Sequence, residues 1–539
     1  MEITGKIIDV FKREIYNGVI IFNEGIIESV EKTGGKSDLY IMPGLIDSHI
    51  HVESSMCTPG SFAGAAVSRG TVAVVSDPHE IANVLGPEGI RFMISDSEKV
   101  PLKFYFGAPS CVPATDFETN GSIIDHFAVE ELRRSDEIKY LAEMMNFPGV
   151  VNNDPEVHRK INIAKKYGKP VDGHAPGVTG EMLRRYISAG ISTDHECSSM
   201  EEALEKISLG MKILIREGSA ARNLDDLKEL YNKNPGMLML CSDDLHPEML
   251  MERHIDKLVS RLISDGYDLY DVLRSCTLNP ALHYKLDTGM LLPGRPADFI
   301  IVSDYKEMNV LETWINGHKV FDRGSIMFDY MGAVPANNFN CSPVSPADIK
   351  IASQEKGKIR IIEAFDGSLF TKELLMEYNS IPDLNPDTNS DILKIVVKDR
   401  YSDSPPATAF IKGFGIKEGA FAGSVAHDSH NIISVGTNDA DIIASINEII
   451  RLRGGYAISV NERTHSMKLD IAGIMADQPL NRVADDYKRL SALVKMLGSR
   501  LSSPFMTLSF MALPVIPELK ITDRGLFSIS KFEHVPLFA

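Results

Sequence analysis

The chain has 539 residues, 44% hydrophobic and 24% charged, a globular composition too long for one ordinary core, so two or three domains are expected. A formal net charge of −18 leaves no excess of Lys and Arg to meet phosphate backbones, which excludes nucleic acid as a partner and favours a small neutral or cationic ligand. No apolar run approaches the roughly 20 residues that span a bilayer, and the opening "MEITGKIIDVFKREIYNG" mixes charges into its apolar residues, unlike a signal sequence. Six scattered cysteines without a C-x-x-C pair fit a reduced, cytoplasmic protein with no membrane partner.

In chain order, the first forty residues read as short strands and turns, with "VIIFNEGIIESV" folding around an Asn-Glu-Gly turn. Brief apolar strands then alternate with helical segments. The strands are "YIMPGLIDSHIH", "GTVAVVSDPHE", "LKFYFGAPS", "IKYLAEMMN", "KPVDGHAPG", "AGISTDHE", "MKILIREGSA" and "GMLMLCSDD". Between them, patterns such as "EMLRRYISAG" and "LDDLKELYNKN" place apolar residues three or four apart. Eight β-then-α units over residues 44–284 predict an α/β fold, a (β/α)₈ TIM-type barrel; a doubly wound open sheet is the rival, and the tally of eight favours closure. Met42 to Asp47 are read as finishing the first barrel strand. Strand texture returns in "PGRPADFIIVSDY" and "VLETWINGHKVFDRG". The stretch "VPANNFNCSPVSPADIK" suits a linker, and residues 335–539 mix strands and helices as a C-terminal α/β domain.

The polar residues at the strand ends carry the chemistry. Strand one ends in His49 and His51, which share a face in extended backbone. Strand four carries Glu143, strand five ends at His174, strand six at His195, and strand eight at Asp243 with Asp244 beside it. A single histidine among 15 is more often a cap or a surface residue than a ligand, but convergence from five strands at the face where barrel sites lie predicts a two-metal centre. Imidazole and carboxylate without thiolate suit Mn, Fe or Zn. Glu53, Asp244 and His246 lack such support and are read as loop or supporting residues. H-E-x-x-H, G-x-x-x-x-G-K-[ST] and G-x-S-x-G are absent, and the H-x-E at His51 to Glu53 has no P-C-x-x-C to complete a zinc deaminase motif. A two-metal centre supplies a bridging hydroxide at neutral pH, so the expected reaction is metal-assisted hydrolysis at an sp² carbon bearing nitrogen. Asp243 is the candidate to take the hydroxide proton and pass it to a leaving amine.

"PGLIDSHIHVESS", the later ligands and "GMLLPGRPADFIIV" resemble the amidohydrolase superfamily. More narrowly, "SDPHEIANVLG", "GAPSCVPAT", "AEMMNFPGV", "GHAPGVTG", "STDHECSSMEEA", "CSDDLHP", "TLNPA" and "AHDSHNIISVGTND" resemble the adenine deaminases, over nearly the whole chain. That resemblance implies hydrolysis of adenine to hypoxanthine and ammonia in purine salvage, through a hydroxide on two divalent ions, Mn or Fe, attacking C6. It implies His49, His51, Glu143, His174, His195 and Asp243 as metal ligands, with Glu143 where many superfamily members place a carboxylated lysine. It also implies a composite β-sandwich built from residues 1–43 and 285–334, and a homo-oligomer, a dimer, is expected. His79 and Glu80, after strand two, are candidates to bind the purine or to donate a proton to ring N1; a helix N-terminal pair is the alternative. Ser110 is a further substrate-contact candidate. His427 and His430 in "AHDSHN" are read as a closing loop or a domain-interface network. The alternatives are a cyclic-amide hydrolase of the dihydroorotase or hydantoinase type and a non-catalytic purine- or metal-binding scaffold.

Overall fold

The apolar runs between residues 45 and 241 form eight short strands, each flanked by helices. The computed structural model describes residues 1–219, 221–351, 356–379 and 385–539. The eight strands are β1 (Leu45–Ile50), β2 (Thr71–Ser76), β3 (Lys103–Ala108), β4 (Ile138–Met144), β5 (Val171–Gly173), β6 (Thr193–Asp194), β7 (Lys212–Arg216) and β8 (Leu238–Cys241). They pair in parallel and in chain order, β1 to β5 in one set and β6 to β8 in another. The Ser192 amide donates to the Val171 carbonyl at 3.0 Å, joining the sets, and the Asp243 amide donates to the His49 carbonyl at 2.9 Å, closing β8 onto β1. Strands covered on both faces need continuous apolar sequence, and "TVAVVS" and "LMLC" are buried throughout. The result is a (β/α)₈ barrel.

Met42 does not extend β1, contrary to the sequence expectation. Tyr40–Pro43 pairs instead with Glu2–Asp9 and Phe299–Val302 in a second sheet, and the barrel strand starts at Leu45. The crossing point is Gly44, where a Cβ would lie 2.2 Å from Val72 Cγ1; only glycine lets the chain pass this close to β2. The second sheet is one hydrogen-bonded run of eight strands drawn from residues 2–43 and 299–326. It folds over on itself. Phe22 meets Trp314 at 6.0 Å between ring centroids, although three other strands separate theirs in the sheet. Ile7, Ile20, Phe299 and Trp314 fill the space enclosed.

A third sheet of eight strands, drawn from residues 356–468, forms the heart of the C-terminal domain, with the helix Asp439–Leu452 packed on it. Asn438 caps that helix by accepting from the Asp441 amide, and Arg453 ends it in the left-handed region at φ 60°. This domain covers the C-terminal end of the barrel. The loop after β3 is clamped by Asn431 Nδ2, which donates to the Thr119 carbonyl at 2.9 Å, by Arg524 Nη1 on the Asp116 carbonyl (2.9 Å), and by Asp523, which accepts from the Thr119 amide at 2.9 Å. One contiguous cluster of buried apolar side chains contains Ile46 and Val74 of the barrel together with Ile395, Val435 and Met475. No helix among the described residues is long and apolar enough to cross a membrane.

Candidate metal centre

Each barrel strand runs out at the same end, so residues at or just past the ends of β1, β4, β5, β6 and β8 are brought together there. His49 Nε2 and His51 Nε2 face one another at 3.2 Å, and both rings are buried. Asp243 Oδ1 lies 3.6 Å from His49 Nε2 and 3.3 Å from His51 Nε2. Glu143 stands between two groups of histidines. Its Oε1 is 3.4 Å from His51 Nε2, and its Oε2 is 2.7 Å from His174 Nδ1 and 3.2 Å from His195 Nε2. All six side chains named as ligands from the sequence therefore share one cradle.

The cradle suits a cation. Two imidazole nitrogens at 3.2 Å cannot both carry protons toward each other, and His49 Nδ1 is buried with no hydrogen-bond partner among the described residues. Groups such as His49, His195 and Asp243, and Glu143, His174 and His195, hold their donor atoms within 4.8 Å of one another. A set of imidazoles and carboxylates without thiolate fits divalent Mn, Fe or Zn. Burial opposes ionisation of Glu143, but the His174 and His195 rings hold its carboxyl well below the usual carboxylate range. Asp243 is held low in the same way, with the Arg216 guanidinium as the strongest influence against burial. Its backbone is left-handed at φ 55°, a conformation that aspartate tolerates better than most residues.

His79 and Glu80 open the short helix His79–Leu85 after β2 and reach the rim of the cradle. His79 Nδ1 is 3.4 Å from Glu143 Oε1 and 3.2 Å from Asp77 Oδ2, while its Nε2 is 3.4 Å from Glu80 Oε1. Burial works against a charged His79, yet Asp77 and Glu80 raise it well above the ordinary imidazole value. Ser110 is buried, but its hydroxyl donates to the Glu143 carbonyl oxygen at 2.5 Å and its own carbonyl accepts from Lys160 Nζ at 2.9 Å. Its proton thus steadies the end of β4. Glu53 proves structurally engaged: its Oε1 accepts from the Ile81 amide at 3.2 Å in the first turn of the helix carrying His79. Asp244 accepts from the Ser54 hydroxyl at 2.6 Å. The buried His246 ring packs edge-on against Tyr487 of the C-terminal domain at 5.0 Å.

The C-terminal domain supplies a roof. His427 Nδ1 lies 2.7 Å from Glu80 Oε1, and His430 Nε2 contacts the other oxygen of the same carboxylate. All six residues from Ala426 to Asn431 are buried. The loop is fixed by the His430 amide on the Ala426 carbonyl at 2.6 Å and by the Tyr401 hydroxyl on the Ser429 carbonyl at 2.6 Å.

Several supporting residues escaped the sequence reading. Arg216, at the end of β7, pairs with both oxygens of Glu196 at 2.6 and 2.7 Å and also reaches Asp243. Glu196 Oε1 in turn is 3.5 Å from His174 Nδ1 and 3.4 Å from His195 Nε2. An aspartate also precedes each of four histidines at the ends of barrel strands by one or two positions: Asp47, Asp77, Asp172 and Asp194. Asp47 accepts from the Ser242 amide at 3.0 Å and faces His254 Nε2 at 2.8 Å, tying β1 to the end of β8. Asp172 accepts from Thr193 Oγ1 (2.9 Å) and Tyr284 Oη (2.8 Å), and Asp194 from Lys206 Nζ (3.0 Å) and the Ala175 amide (2.8 Å). The recurring Asp in "IDSH", "SDPH", "VDGH" and "TDH" was the available signal.

The model of the amidohydrolase family matches residues 40–320, and that of the adenine deaminase C-terminal domain matches residues 368–533. The adenine deaminases of Methanosarcina mazei and Methanosarcina barkeri are each 50% identical to the chain, over 99% of it and 99% of their own length. That of Salinibacter ruber is 46% identical over 99% of the chain and 98% of its own length. With a barrel end that gathers four histidines and two carboxylates under a C-terminal roof, the chain belongs to the amidohydrolase family and, within it, to the adenine deaminases.

Proposed function

We propose that the chain hydrolyses adenine to hypoxanthine and ammonia with two divalent cations, manganese or iron, held by His49, His51, Glu143, His174, His195 and Asp243. The observation that carries this reading is Glu143, whose two oxygens reach the two groups of histidines. Cations there would acidify water and act as Lewis acids toward the electrophilic carbon. The protein's own residues manage the protons and the purine. Asp243 stays ionised beside Arg216, so it is ready to accept a proton from the attacking water and return it to the departing amine. His79, held among Asp77, Glu80 and Glu143 at the rim of the cradle, is placed to contact the edge of the purine. The buried loop from Ala426 to Asn431 excludes bulk water above them. The six cysteines are all free thiols, which supports a reducing, cytoplasmic setting.

A cyclic-amide hydrolase would be expected to carry lysine where Glu143 stands; Lys139 lies near the opposite end of β4 and is half-buried. Manganese-loaded protein incubated with adenine, adenosine, guanine and cytosine should release ammonia from adenine alone. Turnover only of a hydantoin or a dihydropyrimidine would overturn the reading.

A further inference from the structure

The roof presents one carboxylate that the proposed chemistry does not use. Asp428 is 3% exposed, and its Oδ2 has no hydrogen-bond partner among the described residues. The basic groups around it are engaged elsewhere. His427 Nδ1 lies 3.9 Å from Asp428 Oδ1 but 2.7 Å from Glu80, and the nitrogens of His79 face Asp77, Glu143 and Glu80. A buried carboxylate oxygen left bare is costly, and a ligand that brings a donor removes the cost. The Glu80 carboxylate lies beside it, so the missing partner is a hydrogen-bond donor such as an N–H group and not an anion.

Position adds to this. Asp428 offers an oxygen within 4.8 Å of donor atoms of His79 and Glu80, and His79 in turn stands 3.4 Å from Glu143. It is therefore one layer above the cradle, on a loop pinned by Tyr401 and by Asn431. A purine whose C6 faces the cradle carries N3 and N9 on the edge far from it, the edge available to that layer. Free adenine carries its one ring N–H there, at N9, and a nucleoside has a glycosidic bond in its place.

We propose that Asp428 accepts the N9–H of adenine and is the residue that selects the free base over N9-substituted purines. This rests on adenine being the substrate, so the wild-type rate on adenine tests that reading separately. A buried site built around a substrate N–H rejects the analogue lacking it by about 10⁴-fold or more, so wild-type kcat/KM should favour adenine over 9-methyladenine by that order. Asp428→Ala should lower kcat/KM for adenine by about 10- to 100-fold, the size of one charge-assisted hydrogen bond, and leave the rate on 9-methyladenine unchanged or raised. The selectivity ratio is the readout, because a purely structural role would depress both substrates together. Asp428→Asn, nearly the same shape, serves where the alanine variant folds poorly; its amide oxygen can still accept, so a smaller fall in the same ratio is expected. Each variant is assayed with its metal content measured. The proposal is overturned if wild type turns over adenine and 9-methyladenine equally well, or if both variants keep the wild-type ratio within twofold at full metal content.

Discussion

At Asp243 a carboxylate, a guanidinium and two imidazoles meet on a left-handed residue, so the effect of a substitution there depends on which property it removes. Asn keeps the shape and tolerates the backbone but cannot take a proton. Asp243→Asn should therefore retain metal while kcat falls by about 10²- to 10⁴-fold, measured as ammonia release beside metal analysis. Intact activity would remove Asp243 from the proton path. Arg216 acts differently. Its loss leaves Glu196 and Asp243 buried with uncompensated negative charge, and breaking such a pair costs about 3–5 kcal/mol. Arg216→Met should lower the urea midpoint of metal-free protein accordingly, and less so when added manganese supplies the missing positive charge. An equal loss with and without manganese would show that the charges do not communicate.

At the scale of elements, the join between the helix after β2 and the C-terminal roof is set by histidines whose charges differ. Burial opposes the charge on His427, but Glu80 outweighs it and lifts the ring to about 9. Its folded value lies above the ordinary 6.5, so its stabilisation is complete below pH 6.5 and is lost as pH rises toward 9. His246 and His430 are pushed down by burial, to about 3 and about 4, so their contribution is present above pH 6.5 and fades as pH falls toward 4. The urea midpoint should therefore pass through a maximum near pH 6.5, and in His427→Gln the decline on the alkaline side should disappear. A wild-type midpoint flat from pH 5 to 9 would contradict this. These elements also mark how far sequence reading reaches. The barrel strands and the histidines at their ends were legible because each is written in a few neighbouring residues. Gly44 was not, because the need for glycine comes from Val72 in the next strand. Arg216 was not either, because an arginine ending a strand reads as ordinary until Glu196 and Asp243 are beside it. The meeting of Glu80 with His427 and His430 joins residues from different domains, and no local pattern announces it.

For the molecule as a whole, barrel and C-terminal domain share one apolar cluster, so neither keeps its buried surface when the other unfolds. Calorimetry should record a single transition for the full chain; two resolved transitions would mean the shared cluster does not couple them. The barrel adds a further consequence through where its chain begins and ends. His49 stands on the first strand and Asp243 just past the last, joined by the same hydrogen bonds that close the ring. An ion bound by both would act as a removable cross-link across that seam, closing a loop that contains nearly the whole barrel, and long loops gain most from such a link. Chelation should then loosen the ring at one place before any other. Amide exchange in β1 and β8 should quicken while β3, which carries none of the proposed ligands, stays protected.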